Sequence, residues 1–211
     1  MKILLIRHGQ STGNVEGRYT GHTDVPLTEL GVTQGKILCK HLIDNYNIDA
    51  IYTSKLSRAK DTVKDLVQNL KIAPVEDKRI NEIYLGDWEA KKYADLRETC
   101  PQDLERWTNE PKTFHCPNGE CFNDVYLRTT EFLLELVKKD HKTVCVCAHG
   151  GVVRSALCFV KRGSIDYVNE FGWGRNASIT EIDYENGKFT VLKEYYDEYL
   201  DQLTSGYFNI I

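Results

Sequence analysis

Residues 2–14 read KILLIRHGQSTGN, and this stretch decides how the rest of the chain is interpreted. Residues 3–6 form a short, apolar, partly β-branched run, which is typical of a strand buried on both faces. The run stops abruptly at Arg7-His8-Gly9. A cation, an imidazole and a glycine at the carboxyl end of a buried strand favour a phosphate pocket that contains a nucleophile. An ordinary junction between strand and loop remains the alternative.

A second stretch repeats this design. Residues 143–151 read TVCVCAHGG, a short apolar run that ends in His149-Gly150. In an open α/β sheet the carboxyl ends of neighbouring parallel strands meet at one edge. We therefore expect two histidines, His8 and His149, to face one phosphate.

The composition limits the class of protein. The chain has 211 residues, enough for one well-packed domain, and residues 1–211 are expected to form it. With 41% apolar and 27% charged residues it resembles soluble globular proteins, and no apolar run approaches the roughly 20 residues of a membrane span. The start of the chain lacks the pattern of a secretory signal, so a cytoplasmic location is expected. The net charge of −4 offers no basic surface for nucleic acid. Neither a membrane nor a nucleic acid is therefore expected as a partner, and the protein could be a monomer or a homodimer.

The cysteines point to a reducing compartment. There are seven, an odd number, and several fall in strand or helix patterns, which indicates buried thiols rather than a disulfide framework. Cys116 and Cys121, near His115, form the one cluster in the sequence with the character of a metal site. Their C-x4-C spacing lacks a second pair, so the sequence does not predict a metal site there.

The remaining periodicity predicts alternating helices and strands. Residues 15–26 are expected to form a loop, Thr28 and Ser57 to cap the two helices that follow, and an Asn-Gly turn to join two late strands. A variable patch spans about residues 90–122 and is interrupted at Pro101. The order of elements predicts an α/β fold, namely a three-layer α/β/α sandwich with a mainly parallel central sheet.

Three charged residues stand out within this frame. Arg58 falls in the first turn of a predicted helix, where a cation is disfavoured by the helix dipole unless an anion is bound nearby. A surface arginine is the alternative. Glu82 and Glu89 lie in a stretch where carboxylates alternate with apolar and aromatic residues, and half-buried carboxylates are candidates for acid and base catalysis.

Five motifs occur in order along the chain: Arg7-His8-Gly9-Gln10-Ser11-Thr12 with Asn14, the loop at residues 21–27 with Asp24 and Pro26, Thr53-Ser54-Lys55-Leu56-Ser57-Arg58-Ala59, Asn81-Glu82 with Gly86-Asp87-Trp88-Glu89, and His149-Gly150-Gly151. Each motif is weak alone. Together, at these spacings, they resemble the histidine phosphatase superfamily, also called the phosphoglycerate mutase-like family, and the resemblance covers most of the chain. It implies that family's fold.

The resemblance also implies roles for individual residues. His8 would be the nucleophile that becomes a phosphohistidine, and Glu82 would be the proton donor, with Glu89 as its rival. Arg7, Arg58 and His149 would hold the phosphate oxygens as charge builds in the transition state. The remaining substrate-binding residues would be Asn14, Thr20, Gly21 and Gly150. No metal or other cofactor is expected, because two arginines and two histidines already supply a positive field.

The branch of the family is harder to assign. Cofactor-dependent mutases of this family carry a longer insertion before the second histidine, whereas here 66 residues, 83–148, separate Glu82 from His149. The length is more similar to bacterial α-ribazole phosphatases and broad-specificity phosphatases. The resemblance therefore implies a phosphatase of small-molecule phosphate esters. A mutase that returns the phosphoryl group to its product and a non-catalytic phosphate-binding module are the alternatives.

Substrate choice is expected to depend on the variable patch. Four aromatic residues could wall the pocket there with apolar surface: Tyr84, Trp88, Trp107 and Phe114. Trp107 and Phe114 could equally be core residues of the patch.

Overall fold

The computed structural model describes residues 1–203. Six strands form one sheet: β1 (Lys2–Arg7), β2 (Ala50–Thr53), β3 (Val75–Glu76), β4 (Thr143–Ala148), β5 (Ile179–Glu185) and β6 (Lys188–Tyr196). Eight α-helices accompany them within these residues: α1 (Thr12–Glu16), α2 (Glu29–Asn45), α3 (Ser57–Thr62), α4 (Lys64–Leu70), α5 (Tyr93–Thr99), α6 (Pro101–Asn109), α7 (Phe122–Leu136) and α8 (Gly150–Arg162). Four 3-10 helices lie at Lys78–Ile80, Gly86–Trp88, Ile165–Glu170 and Glu198–Leu203.

The sheet is mainly parallel, as predicted. Its strand order is β3-β2-β4-β1-β5-β6. The first four strands of that order run parallel to one another, and β5 and β6 form an antiparallel hairpin at the far edge. β1 and β4 are central and their side chains are almost completely buried, because helices cover both faces of the sheet.

Two cores confirm the three layers. Successive side chains of a strand point to opposite faces, so Ile3 and Leu5 pack with α7 and α8, while Leu4 and Ile6 pack with α2 and α4. Cys145 and Cys147 share the face of Leu4 and Ile6, as their spacing predicted. The fold is therefore an α/β sandwich of helices, sheet and helices.

Local boundaries depart from the predictions at two places. Residues Thr12–Glu16 form a short helix, so the predicted loop begins after it. Thr28 does cap α2, accepting from the Gly31 amide, but Ser57 does not cap the helix that begins there. Leu56 holds the cap position and Ser57 is the first helical residue, and the Ser57 hydroxyl donates to the Asp24 carboxylate at 2.8 Å.

Within residues 1–203, every helix is too short or too polar to cross a bilayer.

The predicted interruption at Pro101 is present, since α5 ends at Thr99 and α6 begins at Pro101.

Candidate active site

The two predicted histidines lie side by side at the carboxyl edge of the sheet. The parallel register pairs Arg7 of β1 with Ala148 of β4, so the next residues, His8 and His149, emerge at the same level. Their ring centroids are 5.1 Å apart, and both residues are buried. The pairing of two central strands therefore brings together side chains that are distant in the sequence.

Hydrogen bonds to two other segments of the chain fix the backbone of His8. The His8 amide donates to the Ala148 carbonyl at 3.0 Å, and the His8 carbonyl accepts from the Ala177 amide at 3.1 Å and from the Asn176 side chain at 3.0 Å. The ring nitrogen Nδ1 lies 2.6 Å from the Gly9 carbonyl oxygen. A carbonyl accepts only, so Nδ1 carries a proton, and in the neutral ring Nε2 keeps its lone pair.

Thr62 extends this support, and the sequence motifs did not reveal it. The Gly9 amide donates to the Thr62 hydroxyl at 2.8 Å, and the hydroxyl donates in turn to the Arg58 carbonyl at 2.7 Å. Thr62 thus ties the peptide that orients His8 to the helix that carries Arg58. Only its spacing of one helical turn from Arg58 could have suggested the role.

The second histidine is oriented by a different chain of hydrogen bonds. The Ser54 hydroxyl donates to the Asn81 side-chain oxygen at 3.1 Å and lies 2.8 Å from His149 Nε2. Because the hydroxyl proton is used towards Asn81, Nε2 of His149 is the donor in its own bond. The Nδ1 atom of His149 is buried and has no hydrogen-bond partner among the described residues. It can donate to a bound oxygen when the ring is protonated.

Both histidines are neutral in the unliganded protein. Burial holds the pKa of His8 well below its ordinary value, and the positive charges of Arg58 and Arg7 lower it further. Burial likewise lowers the pKa of His149, followed by the charges of Arg58 and His8. A neutral imidazole has a lone pair for attack, and a phosphate dianion beside it would favour the charged form again.

The two arginines are anchored by backbone carbonyls. Arg7 donates from Nη1 to the carbonyls of Trp173 and Gly174, at 3.2 and 2.6 Å. Arg58 donates to the carbonyls of Thr20, Gly21 and Thr23 at 2.7–3.1 Å. These carbonyls, together with the Asp24 carboxylate that accepts from the Ser57 amide at 2.8 Å, explain how α3 tolerates a buried cation in its first turn. The Nε atoms of both arginines are buried without a hydrogen-bond partner among the described residues.

The two candidate acids have different surroundings. The Glu82 carboxylate accepts from the amides of Ile83 and Gly151, at 2.9 and 3.1 Å, and lines a cavity beside His8. Glu89 accepts from the amides of His22, Thr23 and Leu85 and from the Thr23 hydroxyl. These hydrogen bonds outweigh the effect of burial and lower the pKa of Glu89. Glu89 therefore holds the loop at residues 20–23, and of the two candidates it is Glu82 whose side chain lines the cavity.

The cavity opens to solvent, and the empty space within it and at its mouth amounts to about 590 Å³. Arg7, His8, Asn14, Thr20 and Glu82, all predicted for the site, line it. The side-chain oxygen of Asn14 accepts from the Ser11 amide at 3.0 Å and from Asn176 at 3.2 Å, so its amide nitrogen is left to face the cavity.

Four predicted site residues are not on the cavity wall: Gly21, Arg58, His149 and Gly150. Arg58 and His149 are almost fully buried, the charge of Arg58 lowers the pKa of His8, and the His149 ring lies beside the His8 ring. Gly21 contributes its carbonyl to Arg58. Gly150 begins α8, and a Cβ there would meet the Trp173 ring.

The aromatic wall of the cavity differs from the prediction. Of the four aromatic residues expected there, only Trp107 lines the cavity. Trp88 and Phe114 belong to the core, where their rings pack together, and Tyr84 is exposed beside the His22 ring. Six further wall residues were not predicted, although Tyr19 and Ile83 are adjacent in sequence to predicted ones: Arg18, Tyr19, Ile83, Leu85, Tyr93 and Trp173.

Comparison with known proteins agrees with this geometry. The model of the histidine phosphatase superfamily (branch 1) matches residues 3–197. Phosphoserine phosphatase 1 of Hydrogenobacter thermophilus is 32% identical over 92% of this chain and 91% of its own. The adenosylcobalamin/alpha-ribazole phosphatase of Escherichia coli is 30% identical over 72% and 75%. The 2,3-bisphosphoglycerate-dependent phosphoglycerate mutase 2 of Gloeobacter violaceus is 32% identical over 74% and 73%.

A solved structure is also similar. Bacillus stearothermophilus YhfR superposes with a TM-score of 0.89 at 31% identity, covering 95% of this chain and 99% of its own. The resemblance inferred from the motifs is thus confirmed, and the chain belongs to the histidine phosphatase superfamily, branch 1.

Proposed function

We propose that this protein is a phosphatase that hydrolyses small-molecule phosphomonoesters without a metal ion, through a phosphohistidine on His8. The relatives named as phosphatases support the general activity. One observation carries the mechanism: His8 is a buried, neutral imidazole whose Nδ1 proton is held by Gly9, so that Nε2 is the nucleophilic atom.

The reaction has two transfers. His8 Nε2 attacks phosphorus, the ester oxygen leaves, and Glu82 in its protonated form gives that oxygen a proton. In the second transfer Glu82, now a carboxylate, takes a proton from water as the water attacks the phosphohistidine. Inorganic phosphate leaves, and His8 and Glu82 return to their starting states.

The positive groups stabilise the charge that builds on the phosphoryl oxygens. Among the described residues the buried Nε atoms of Arg7 and Arg58 have no other partner, and His149 can donate from Nδ1 once the phosphate dianion has favoured its protonated form. The Asn14 amide adds a neutral donor from the cavity wall. Donors already fixed in place cost little reorganisation during the reaction, so they lower the barrier without a divalent cation.

A mutase is the second candidate, because one relative in the same identity range is named as a phosphoglycerate mutase. A mutase would transfer the phosphoryl group from His8 back to a hydroxyl of the product. The cavity opens to solvent, which gives water access to a phosphohistidine and favours hydrolysis.

The test is to incubate the protein, with and without a chelator, with 3-phosphoglycerate, an α-ribazole phosphate, phosphoserine and an aryl phosphate. Free phosphate and isomerised ester are both measured, with His8→Ala as the control. We expect phosphate release that survives the chelator and disappears in His8→Ala. Isomerisation without release would make the protein a mutase, and no reaction of any ester would support a binding module. Complete loss of activity in the chelator would contradict the metal-independent mechanism.

A further inference from the structure

A second cluster of reactive side chains lies outside the cavity, at the start of α7. A ring nitrogen of His115, Cys121 Sγ and a carboxylate oxygen of Asp124 all lie within 4.8 Å of one another. His115 comes from the loop before α7, Cys121 is the residue that caps the helix, and Asp124 is in its first turn. None of the three lines the cavity that contains His8.

The imidazole of His115 is oriented for an electrophile. Its Nδ1 lies 3.2 Å from the Thr113 carbonyl, which can accept a proton carried on that nitrogen and leave the lone pair on Nε2. The Nε2 atom lies 3.1 Å from a carboxylate oxygen of Asp124. A proton or a metal ion can bridge these two atoms. A histidine that donates its other nitrogen to a backbone carbonyl is the common arrangement for a metal ligand.

Cys121 supplies the third donor. Ser, Thr, Asp and Asn are the favoured capping residues, so a thiol at this position needs another explanation. The Asp124 carboxylate accepts from the Cys121 amide at 2.9 Å, which fixes the carboxylate near the sulfur. Cys121 is only 2% exposed, whereas the His115 side chain is 57% exposed. The cluster thus has a buried sulfur and an entry path from solvent.

We propose that His115 Nε2, Cys121 Sγ and the Asp124 carboxylate bind one Zn²⁺ ion, with water as the fourth ligand. A thiolate, an imidazole and a carboxylate are the ligands that zinc takes in tetrahedral sites, and hard cations such as Mg²⁺ disfavour the sulfur and nitrogen donors. On binding, the Cys121 thiol loses its proton to solvent as the zinc–sulfur bond forms. Cys116 is not part of this cluster.

The ion would join the variable patch to α7. Residue Glu120, next to Cys121, binds Arg128 of α7 at 3.0 Å, and Arg128 donates to the Glu82 carbonyl at 3.0 Å. Zinc would therefore stabilise the loop that supports the backbone of the candidate acid. Its role is structural, and catalysis does not depend on it.

The experiment is a metal titration of the full chain. Protein freed of metal by dialysis is titrated with Zn²⁺ against a chromophoric chelator, with Mg²⁺ as a comparison, and with Co²⁺, whose absorption reports a thiolate ligand. Three variants test the ligands. Cys121→Ser keeps a good capping residue but removes the sulfur, Asp124→Asn keeps an acceptor for the Cys121 amide, and Cys116→Ser is the matched cysteine control.

We expect one Zn²⁺ per chain, no Mg²⁺ binding at this site, and a sulfur-to-cobalt band. Cys121→Ser should abolish that band and weaken zinc binding by more than about 100-fold, since loss of a supporting second-layer group alone costs about 10- to 100-fold. Cys116→Ser should behave as the wild type.

Absence of zinc binding, or zinc binding unchanged in Cys121→Ser and Asp124→Asn, would overturn the proposal. So would binding that disappears in His8→Ala, because the ion would then lie at the active-site histidines. No arm of this test measures phosphatase activity.

Discussion

At the residue scale, two carboxylates seven positions apart have separate tasks because their hydrogen-bond partners differ. Glu82 faces the cavity and accepts two backbone amides, whereas Glu89 accepts from four donors in the loop and the turn around it. A carboxylate that must gain and lose a proton needs spare acceptor positions and access to the substrate. Glu82 has both.

The first prediction compares Glu82→Gln with Glu89→Gln. Glutamine at position 82 can still accept from the Ile83 and Gly151 amides but cannot give a proton to the leaving oxygen. We expect kcat to fall by about 10²–10⁴ for alkyl phosphates and much less for an aryl phosphate, whose leaving group needs no proton.

Glu89→Gln should lower the free energy of unfolding by about 1–3 kcal/mol, because one of the donors to Glu89 loses its acceptor. It should leave the ratio of kcat for alkyl phosphates to kcat for aryl phosphates unchanged. A plot of kcat against leaving-group pKa checks this, and identical plots for wild type and Glu82→Gln would exclude Glu82 as the acid.

The second prediction concerns Thr62, which holds the Gly9 peptide that orients His8. Thr62→Val keeps the shape of the side chain but leaves the Gly9 amide without its acceptor, so the His8 ring loses its fixed orientation. We expect kcat to fall by about tenfold to hundredfold with little change in KM, because small displacements of a reacting group slow the chemical step by factors of that size.

Thr62→Ser is the matched variant, since it retains the hydroxyl. Rapid-quench measurement of phosphohistidine formation gives the rate of the affected step, and thermal melting verifies that both variants are folded. Equal losses in Thr62→Val and Thr62→Ser would show that the methyl group matters instead of the hydrogen bond.

At the scale of elements, the register of β1 against β4 assembles the site. Arg7 pairs with Ala148, so the residue after each strand is a histidine at the same height. A slip of one residue would turn every side chain of β1 to the opposite face and remove His8 from His149. Burial of both faces of β1 in two apolar cores prevents that slip.

The third prediction belongs to α6, which contributes Trp107 to the cavity wall. Trp107→Ala should lower kcat/KM for bulky aryl phosphates more than for phosphoserine, because the lost surface contacts only the larger leaving group. The ring also packs on Trp88 and Phe122, so the variant should lose about 3–5 kcal/mol of stability. Trp107→Phe keeps an aromatic wall and is the control that separates the two effects. Equal losses of kcat/KM across small and bulky esters would contradict a role in specificity.

At the scale of the whole molecule, the buried neutral histidines make stability depend on pH. The folded pKa values of His8 and His149 are lowered, whereas in the unfolded chain each histidine titrates near about 6.5. Below that pH the unfolded state binds protons that the folded state does not, so stability is fully present above about 6.5 and is lost as the pH falls towards the folded pKa values.

The fourth prediction is the size of that loss. The free energy of unfolding should fall by up to about 1.4 kcal/mol per pH unit for each of the two histidines between about pH 6.5 and 5. His41, whose pKa is also lowered by burial and by Lys193, adds to the slope. Urea denaturation at a series of pH values measures how the free energy of unfolding changes with pH, and His149→Asn should remove the contribution of one histidine.

Saturating inorganic phosphate should make the free energy of unfolding depend less on pH, because a bound anion favours the charged imidazoles. A slope that is the same in wild type and His149→Asn would contradict the neutral state of His149.

Much of the fold followed from local patterns. The apolar runs predicted β1 and β4, the helical periodicity predicted α2 and α7, and the Asn-Gly turn predicted the β5–β6 hairpin. Patterns failed where a partner came from elsewhere in the chain. Ser57 looks like a capping residue in sequence, but Asp24 lies within hydrogen-bond distance only after folding.

The sequence by itself determined which chemical groups end the two central strands, because an apolar run and the residues that follow it are local, and parallel strands bring such ends to one edge. The tertiary structure alone decided what surrounds them. Thr62 behind Gly9, the Trp173 and Gly174 carbonyls on Arg7, and the cavity wall around Trp107 all come from segments with no fixed spacing to His8. Hydrogen bonds and packing depend on distance in space, and residues this far apart in sequence acquire that distance only when the sheet and its helices have assembled.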